Sequence, residues 1–280
     1  MLNKREIFKY IIPFSPILTS LGRRGEPCKK IRVILFDLYG TLFISEAGDI
    51  GLAGGKSQKE LKVAELLEEF GIKKSPEKIS QHLSEKIHST HAQLKEEGVD
   101  FPEVKIDLLW MDILNIHDAK TARKFAACYE LIINQVYPMP HAEELLLACK
   151  DSAISTGIIS NAQFYTPWLF NWFFNSDPKE MGFSPELIFY SYIYGYGKPS
   201  MFMFNRAVEK LGEMRVLPES VLYLGNDMLK DILPAKKAGF QTALFAGDKR
   251  SLRLRQENQE CRNIIPDMII TDLAQLKDFI

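Results

Sequence analysis

The sequence predicts an α/β fold, a parallel doubly wound sheet with a helical segment inserted after its first strand. Three observations carry this. From about residue 138 onward, short apolar runs alternate with helical stretches, the rhythm of a parallel sheet. A lone apolar run at 31–36 stands far ahead of them and stops at a single carboxylate, Asp37. Between the two, residues 59–133 show apolar positions only at helical spacing, separated by many Lys and Glu.

Taken in order, residues 1–30 are an N-terminal extension. Its apolar stretch Ile7 to Leu18 is broken by Lys9, Pro13, Ser15 and Pro16. That is too short and too interrupted to span a membrane. Arg23 and Arg24 follow where a secretory signal would carry small residues. The extension is expected to pack on the core or stay partly disordered, with a partner-docking or membrane-surface segment as the alternative. The run to Phe36 reads as a buried strand, which puts Asp37 on the sheet edge where ligands bind in open α/β folds. Tyr39, Gly40 and Thr41 make the turn after it.

Four helical stripes come next. They are Leu61, Ala64, Leu66, Leu67 and Phe70 with Gly71 as a stop; Ile79, Leu83, Ile87 and Leu94; Ile106, Leu109, Trp110, Ile113 and Leu114; and Phe125, Tyr129, Leu131 and Ile132. Residues 46–137 are therefore expected to be a helical insertion, and 31–45 with 138–280 the sheet domain. His141 to Lys150 is a predicted helix and Ala153 to Ile159 a strand ending at Ser160 and Asn161. Leu187 to Ile193 is a strand, Met203 to Leu211 a helix, and Val221 to Leu224 a strand ending in Gly225, Asn226 and Asp227. A helix from Asp231 to Ala238 is closed by Gly239, and strands at Thr242 to Phe245 and Met268 to Ile270 complete the series. Tyr190, Tyr192, Tyr194 and Tyr196 alternate, which predicts one wall of a sheet edge. The aromatics from Phe164 to Phe174 are expected in the core or a dimer contact, so a homodimer is compatible with the sequence. His82, His88 and His91 are expected on a solvated or substrate-facing surface of the insertion.

A net charge of −1 gives no reason to expect nucleic acid or an anionic membrane as a partner. Cys28, Cys128, Cys149 and Cys261 are widely spaced, which indicates neither a zinc site nor a disulfide framework. A reducing, cytoplasmic setting is the simplest expectation.

The chemistry sits at strand ends. Asp37 is followed by Ser160 and Asn161, by Lys198 in Gly-Tyr-Gly-Lys-Pro, and by Asp227 and Asp231 in Gly-Asn-Asp-Met-Leu-Lys-Asp. In a parallel sheet these ends share one edge and converge. A carboxylate in that company reads as a nucleophile.

In order and type these residues resemble the four motifs of the haloacid dehalogenase (HAD) superfamily over about residues 32–280, with the insertion in the place of the family's cap domain. The resemblance implies a HAD-like, Rossmann-like core and the following roles. Asp37 is the nucleophile. Thr41 supports the loop, and N–H groups near Tyr39 and Gly40 help hold the transferring group. Ser160 hydrogen-bonds that group's oxygens, with Asn161 beside it. Lys198 neutralises charge. Asp37, the main-chain carbonyl of Tyr39, Asp227 and Asp231 belong to a Mg²⁺ site. The expected activity is Mg²⁺-dependent hydrolysis of a small phosphorylated metabolite through an aspartyl-phosphate. A phosphoryl group is already anionic, so a cation and a lysine must offset the repulsion of an attacking carboxylate.

Two departures stand out. Tyr39 replaces the Asp that family phosphatases use as acid and base, and a phenol is a poor base at neutral pH. Asn226 stands directly after Gly225, where the family carries an acid. Two other readings follow. A metal-independent 2-haloacid dehalogenase is suggested by Tyr39, but opposed by Asp227 and by the lack of any arginine between Arg32 and Arg123. A weakly active or inactive binding protein of the same family is the other.

Overall fold

The computed structural model describes residue 2 and residues 4–46 and 56–280. Residues 47–55, expected at the start of the helical insertion, lie outside the described residues.

The chain opens with one helical turn, α1 (Lys4–Ile7), and a two-residue strand, β1 (Arg24–Gly25). The run before Asp37 becomes β2 (Val33–Phe36), buried at every position. A strand covered on both faces has no use for alternation, which is why it reads as continuous Val-Ile-Leu-Phe. Next comes β3 (Phe43–Ser45), then four helices: α2 (Lys56–Glu69), α3 (Pro76–Glu96), α4 (Ile106–Leu114) and α5 (Ala119–Ile133). Their starts and stops are local. Ser75 accepts the N–H of Lys78 ahead of Pro76, and Asp118 accepts those of Lys120 and Thr121. After α2 the chain turns at Gly71 (φ +66°), and α4 ends at Asn115 in the left-handed region. The helices pack on Phe125 and Trp110, whose rings lie 4.9 Å apart, with Tyr129 4.8 Å from Trp110.

The alternating part follows: β4 (Val136–Pro138), α6 (Ala142–Asp151), β5 (Ser155–Ser160), α7 (Trp168–Phe174), β6 (Phe183–Tyr190), α8 (Ser191–Tyr194), α9 (Phe202–Glu213), β7 (Val221–Gly225), α10 (Leu233–Lys237), β8 (Gln241–Phe245) and β9 (Met268–Ile270). A π-helical turn, Met228–Ile232, leads into α10. The main sheet has the order β1-β9-β8-β7-β2-β5-β6. All its neighbours run parallel except β1, which lies antiparallel on β9. Strand β2 lies between β5 and β7, so Asp37, Ser160 and Gly225 leave the sheet side by side.

The extension packs on the core, as one of the expectations had it, burying Leu2, Ile7, Tyr10 and Ile11, and the indole N–H of Trp172 donates to the Leu2 carbonyl. It also supplies the edge strand β1, and three further details differ from the sequence reading. Strands β3 and β4 pair into a second, two-stranded sheet. At three residues each, both are too short to show a period. Tyr192 and Tyr194 lie in α8 rather than in a strand, because the chain turns helical directly after Tyr190. Leu61 faces out at 65% exposure, and Val63, Leu66 and Leu67 carry the buried face of α2. The aromatics of α7 belong to the core, where Phe43 meets Phe170 edge-on at 5.3 Å. Among the described residues no helix is long and apolar enough to cross a membrane.

Candidate active site

Asp37 is the first residue after β2, and its N–H donates to the Leu224 carbonyl on the neighbouring strand. That bond fixes the side chain at the edge. The carboxylate is buried, and its Oδ1 accepts Ser160 Oγ at 2.8 Å and meets Lys198 Nζ at 2.7 Å. Among the described residues nothing donates to Oδ2.

Lys198 is held from two sides. Its Nζ lies 2.5 Å from Asp231 Oδ1 and 3.1 Å from the Tyr223 hydroxyl. The Asn161 side chain grips its main chain, accepting the N–H at 2.6 Å and donating to the carbonyl at 3.2 Å. Burial alone would push the ammonium down, but Asp231 and Asp37 together hold it above the ordinary lysine value. Lys198 therefore stays charged against Asp37.

Asp231 is saturated. Its Oδ1 accepts Lys198 and Tyr223, and its Oδ2 accepts the N–H groups of Asn226 and Asp227 at 3.0 and 2.9 Å. It fixes both the lysine and the turn after β7. Asp227 caps the π-helical turn through the N–H groups of Leu229 and Lys230. It also receives a two-pronged contact from Arg255, with Nη2 at 2.6 Å. Burial would raise its carboxyl, but Arg255 and those N–H groups keep it below the usual range.

The turn after Asp37 is shaped by Asn226. Thr41 Oγ1 donates to Asn226 Oδ1 at 3.2 Å, and Asn226 Nδ2 donates to the Ser251 carbonyl at 2.6 Å. Gly40 (φ +80°) lies against that amide, and a Cβ there would come within 2.7 Å of Nδ2. Tyr39 turns its hydroxyl to Thr166 Oγ1 at 2.9 Å. Burial, and then the charge of Glu130, raise its phenol far above neutral pH.

Asp37, Tyr39, Asn161, Lys198, Asp227 and Asp231 border one cavity of about 420 Å³. Ser160 reaches it through Asp37, and Thr41 through Asn226. Of the three histidines only His91 borders it, with a buried Nε2 that has no hydrogen-bond partner. His82 and His88 stay on exposed parts of α3; His88 Nδ1 contacts the Ser84 carbonyl of its own helix.

Several residues on the cavity or behind it were missed in the sequence. Tyr223 and Arg255 have no local signature, since their partners are 8 and 28 residues away. Glu130 carried a weak signal, a lone acid inside the apolar run of α5. Burial raises its carboxyl, and Asn134 and Tyr165 donate to it. Glu103 is likewise pushed up by burial, to about 6, despite bonds from Ser191, Gln163 and the Val104 N–H.

The fold has known counterparts. A family described as haloacid dehalogenase-like hydrolase matches residues 31–239. A glyceraldehyde 3-phosphate phosphatase of Methanocaldococcus jannaschii is 23% identical over 253 residues, covering 89% of this chain and 97% of the relative. A 2-haloacid dehalogenase of Pseudomonas syringae pv. Tomato superposes with a TM-score of 0.56 at 20% identity, over 89% of this chain and 97% of that one. A HAD phosphatase of Thermococcus onnurineus gives 0.53 at 16% identity, over 89% and 97%. Neighbours this distant share the fold and carry no chemistry over. The family match spans Asp37, Ser160, Lys198 and Asp231, the four side chains joined by direct contacts, and on that ground the chain belongs to the haloacid dehalogenase-like hydrolase family.

Proposed function

We propose that this hydrolase is a Mg²⁺-dependent phosphatase of small phosphorylated metabolites, working through an aspartyl-phosphate on Asp37. The observation that carries the reading is the clamp on Asp37. Ser160 and Lys198 both hold Oδ1 of Asp37, which borders the cavity, so the unbonded Oδ2 is the nucleophile. Residues 46–137 act in this reading as a cap over that cavity. The phosphatase activity of the archaeal relative adds support.

The donor set at this edge is of a kind that suits magnesium. Among the described residues no group of three or more His, Cys, Asp or Glu side chains is arranged to hold a metal ion. That is unlike a zinc site, but magnesium keeps several waters and takes one or two carboxylates plus substrate oxygens. The Asp37 carboxylate, the Tyr39 main-chain carbonyl and the Asn226 amide oxygen are hard donors that fit it, with Asp227 available where Arg255 yields. Asp231 contributes indirectly, by fixing Lys198 and the Asn226–Asp227 turn. Bound there, the ion would offset the charge that builds up on the phosphoryl oxygens.

The chain's own residues do the rest. Asp37 Oδ2 attacks phosphorus, and the bond to the leaving oxygen breaks. Lys198 and Ser160 steady the carboxylate, and Lys198 reduces its repulsion from the phosphoryl group. Water then attacks phosphorus, the bond from phosphorus to Asp37 Oδ2 breaks, and the water's protons leave with the phosphate, restoring the Asp37 carboxylate. Tyr39, held protonated, cannot take that water's proton, so leaving groups of low basicity such as acyl phosphates or aryl phosphates are favoured.

The test is turnover of 4-nitrophenyl phosphate and acetyl phosphate with and without Mg²⁺, beside 2-chloropropionate with chelator. Metal-dependent phosphate release that vanishes in Asp37→Asn is expected. Halide release with chelator present would transfer the chain to the dehalogenases. Neither activity, with a phosphate ester still stabilising the fold, would make it a binding protein.

A further inference from the structure

We propose that Arg255 is a latch on Asp227: it occupies that carboxylate in the metal-free protein and has to release it before Asp227 joins the Mg²⁺ ligands. The chain thereby holds the ion more weakly than its acids allow. This rests on the metal-dependent phosphatase reading and adds a control on its metal site.

The first observation is how fully Asp227 is occupied. A carboxylate offers about four acceptor sites. The N–H groups of Leu229 and Lys230 lie 2.8 and 3.2 Å from Oδ1. Arg255 Nε lies 3.1 Å from Oδ1 and 3.2 Å from Oδ2, and Nη2 lies 2.6 Å from Oδ2. A ligand bond from Asp227 to an ion therefore comes at the expense of a donor already in place.

The second is which donor yields. The two N–H groups belong to the π-helical turn Met228–Ile232, whose entry is fixed by Asp231 through the N–H groups of Asn226 and Asp227. Arg255 reaches Asp227 on a long side chain that is 29% exposed, against 8% for Asp227. Its loop stays where it is, because the Arg253 N–H donates to the Asn226 carbonyl at 3.0 Å and the Met228 N–H to the Arg253 carbonyl at 2.9 Å. The guanidinium can swing toward water and return while both main chains hold still.

The third is placement. Asp227 borders the cavity with Asp37, Tyr39 and Asn226, while Arg255 lies outside its lining. The carboxylate thus stands between the metal donors and the guanidinium. Two cations on one carboxylate repel each other, so each weakens the hold of the other, and the effect is reciprocal. The other cations at this end of the cavity are engaged differently. Lys198 is bound to Asp37 and Asp231, and Lys230 and Arg253 meet Asp227 through their main chains.

The experiment reads Mg²⁺ affinity without turnover, from the rise in melting temperature with Mg²⁺ concentration. It compares the wild type, Arg255→Gln and Arg255→Lys, each with and without Asp227→Asn. Arg255→Gln should bind Mg²⁺ tenfold or more tightly than the wild type. Arg255→Lys, which keeps the charge and loses the two-pronged contact, should bind it several-fold more tightly. In the Asp227→Asn background Arg255→Gln should gain threefold or less, since the contested carboxylate is gone. An equal gain in both backgrounds would make Arg255 a mere nearby charge and overturn the latch. Weaker binding by Arg255→Gln would overturn it too, by showing that Arg255 orients Asp227 toward the ion. In both cases Mg²⁺-dependent phosphate release by the wild type would leave the phosphatase reading standing. If none of the proteins binds Mg²⁺, the metal-dependent reading falls and the latch with it. Should Arg255→Gln not fold, Arg255→Lys in the two backgrounds decides.

Discussion

Tyr39 and Asn226 are the two residues at which this chain departs from a family phosphatase, and the structure gives each a local explanation. The Tyr39 phenol is buried against Thr166 and kept protonated by burial and by Glu130. Such a group can donate a hydrogen bond but cannot activate water. Restoring a carboxylate should therefore speed turnover. General acid–base catalysis is worth about 10²- to 10⁴-fold. We expect Tyr39→Asp to raise steady-state kcat on 4-nitrophenyl phosphate about tenfold or more at pH 7, while losing about 3 kcal/mol of stability from the emptied volume. A slower variant with an intact fold would show that the phenol has a positive role. At the second site, Asn226 borders the cavity while Asp227 is bound to Arg255 and two N–H groups. Asn226→Asp places a new charge beside the metal donors, so half-maximal activity should need several-fold less Mg²⁺. Asp227→Ala should instead cost about 2 kcal/mol, from a lost cap and the lost two-pronged contact with Arg255. Urea unfolding and Mg²⁺ titration separate the two. If Asp227→Ala alone abolishes the metal response, Asp227 is the ligand and Asn226 is not.

At the scale of elements, what the sequence disclosed depended on the length of the signal. The four helices of the insertion and the strands carrying Asp37, Ser160 and Gly225 were legible because burial on a helix face or on both sheet faces leaves a run of apolar residues. Strands β3 and β4 were not, since three residues show no period. Helix α8 was not, because Ser-Tyr-Ile-Tyr alternates like a strand and is turned by its neighbours. The edge strand β1 is held by two pairs alone, Arg24 with Ile269 and Gly25 with Met268, which no local pattern announces. The site divides in the same way: one polar residue per strand end was visible, while Tyr223 and Arg255, which hold those residues in place, were not. One strand makes a sharp prediction. Gly157 in β5 sits where a Cβ would come within 2.6 Å of Leu187 O, Leu187 Cβ and Leu35 Cδ2. Two of these atoms are on β6 and one is on β2, so the strand cannot shift from one without meeting the other. Gly157→Ala should cost about 3 kcal/mol, the upper part of the range for overpacking. A melting temperature unchanged within about 1 °C would mean the sheet yields there, contrary to its packing.

For the whole molecule, the question is what ties the helical segment to the sheet. Residues 101–106 answer it with a set of hydrogen bonds to loops at the sheet edge. The Gly197 N–H donates to the Phe101 carbonyl at 2.7 Å, and the Glu103 N–H to that of Gly195 at 2.9 Å. The buried Gln163 side chain accepts the Ile106 N–H and donates to the Val104 carbonyl and Glu103 Oε1. Ser191 Oγ donates to Glu103 Oε2 at 2.8 Å. Glu103 is thus a charged side chain held within these hydrogen bonds, and its protonation should register in the stability of the fold. Burial raises its carboxyl from 4.5 to about 6. Between those two pH values the folded protein binds a proton that the unfolded chain releases. The group's contribution is most favourable below pH 4.5, declines as pH rises to about 6, and stays low above it. The full difference corresponds to about 2 kcal/mol. Glu103→Gln removes the titration and keeps the shape, and the Ser191 hydroxyl can turn to accept from the new amide. Its stability relative to wild type should therefore rise between pH 4.5 and 6.5 and level off above, by up to about 2 kcal/mol, read from urea unfolding at each pH. Taking the difference between two proteins cancels every other titrating group. A flat difference across that range would show that the three donors to Glu103 offset its burial in full. A falling difference would mean that they stabilise the carboxylate beyond it, and that the seam is held by charge rather than by shape.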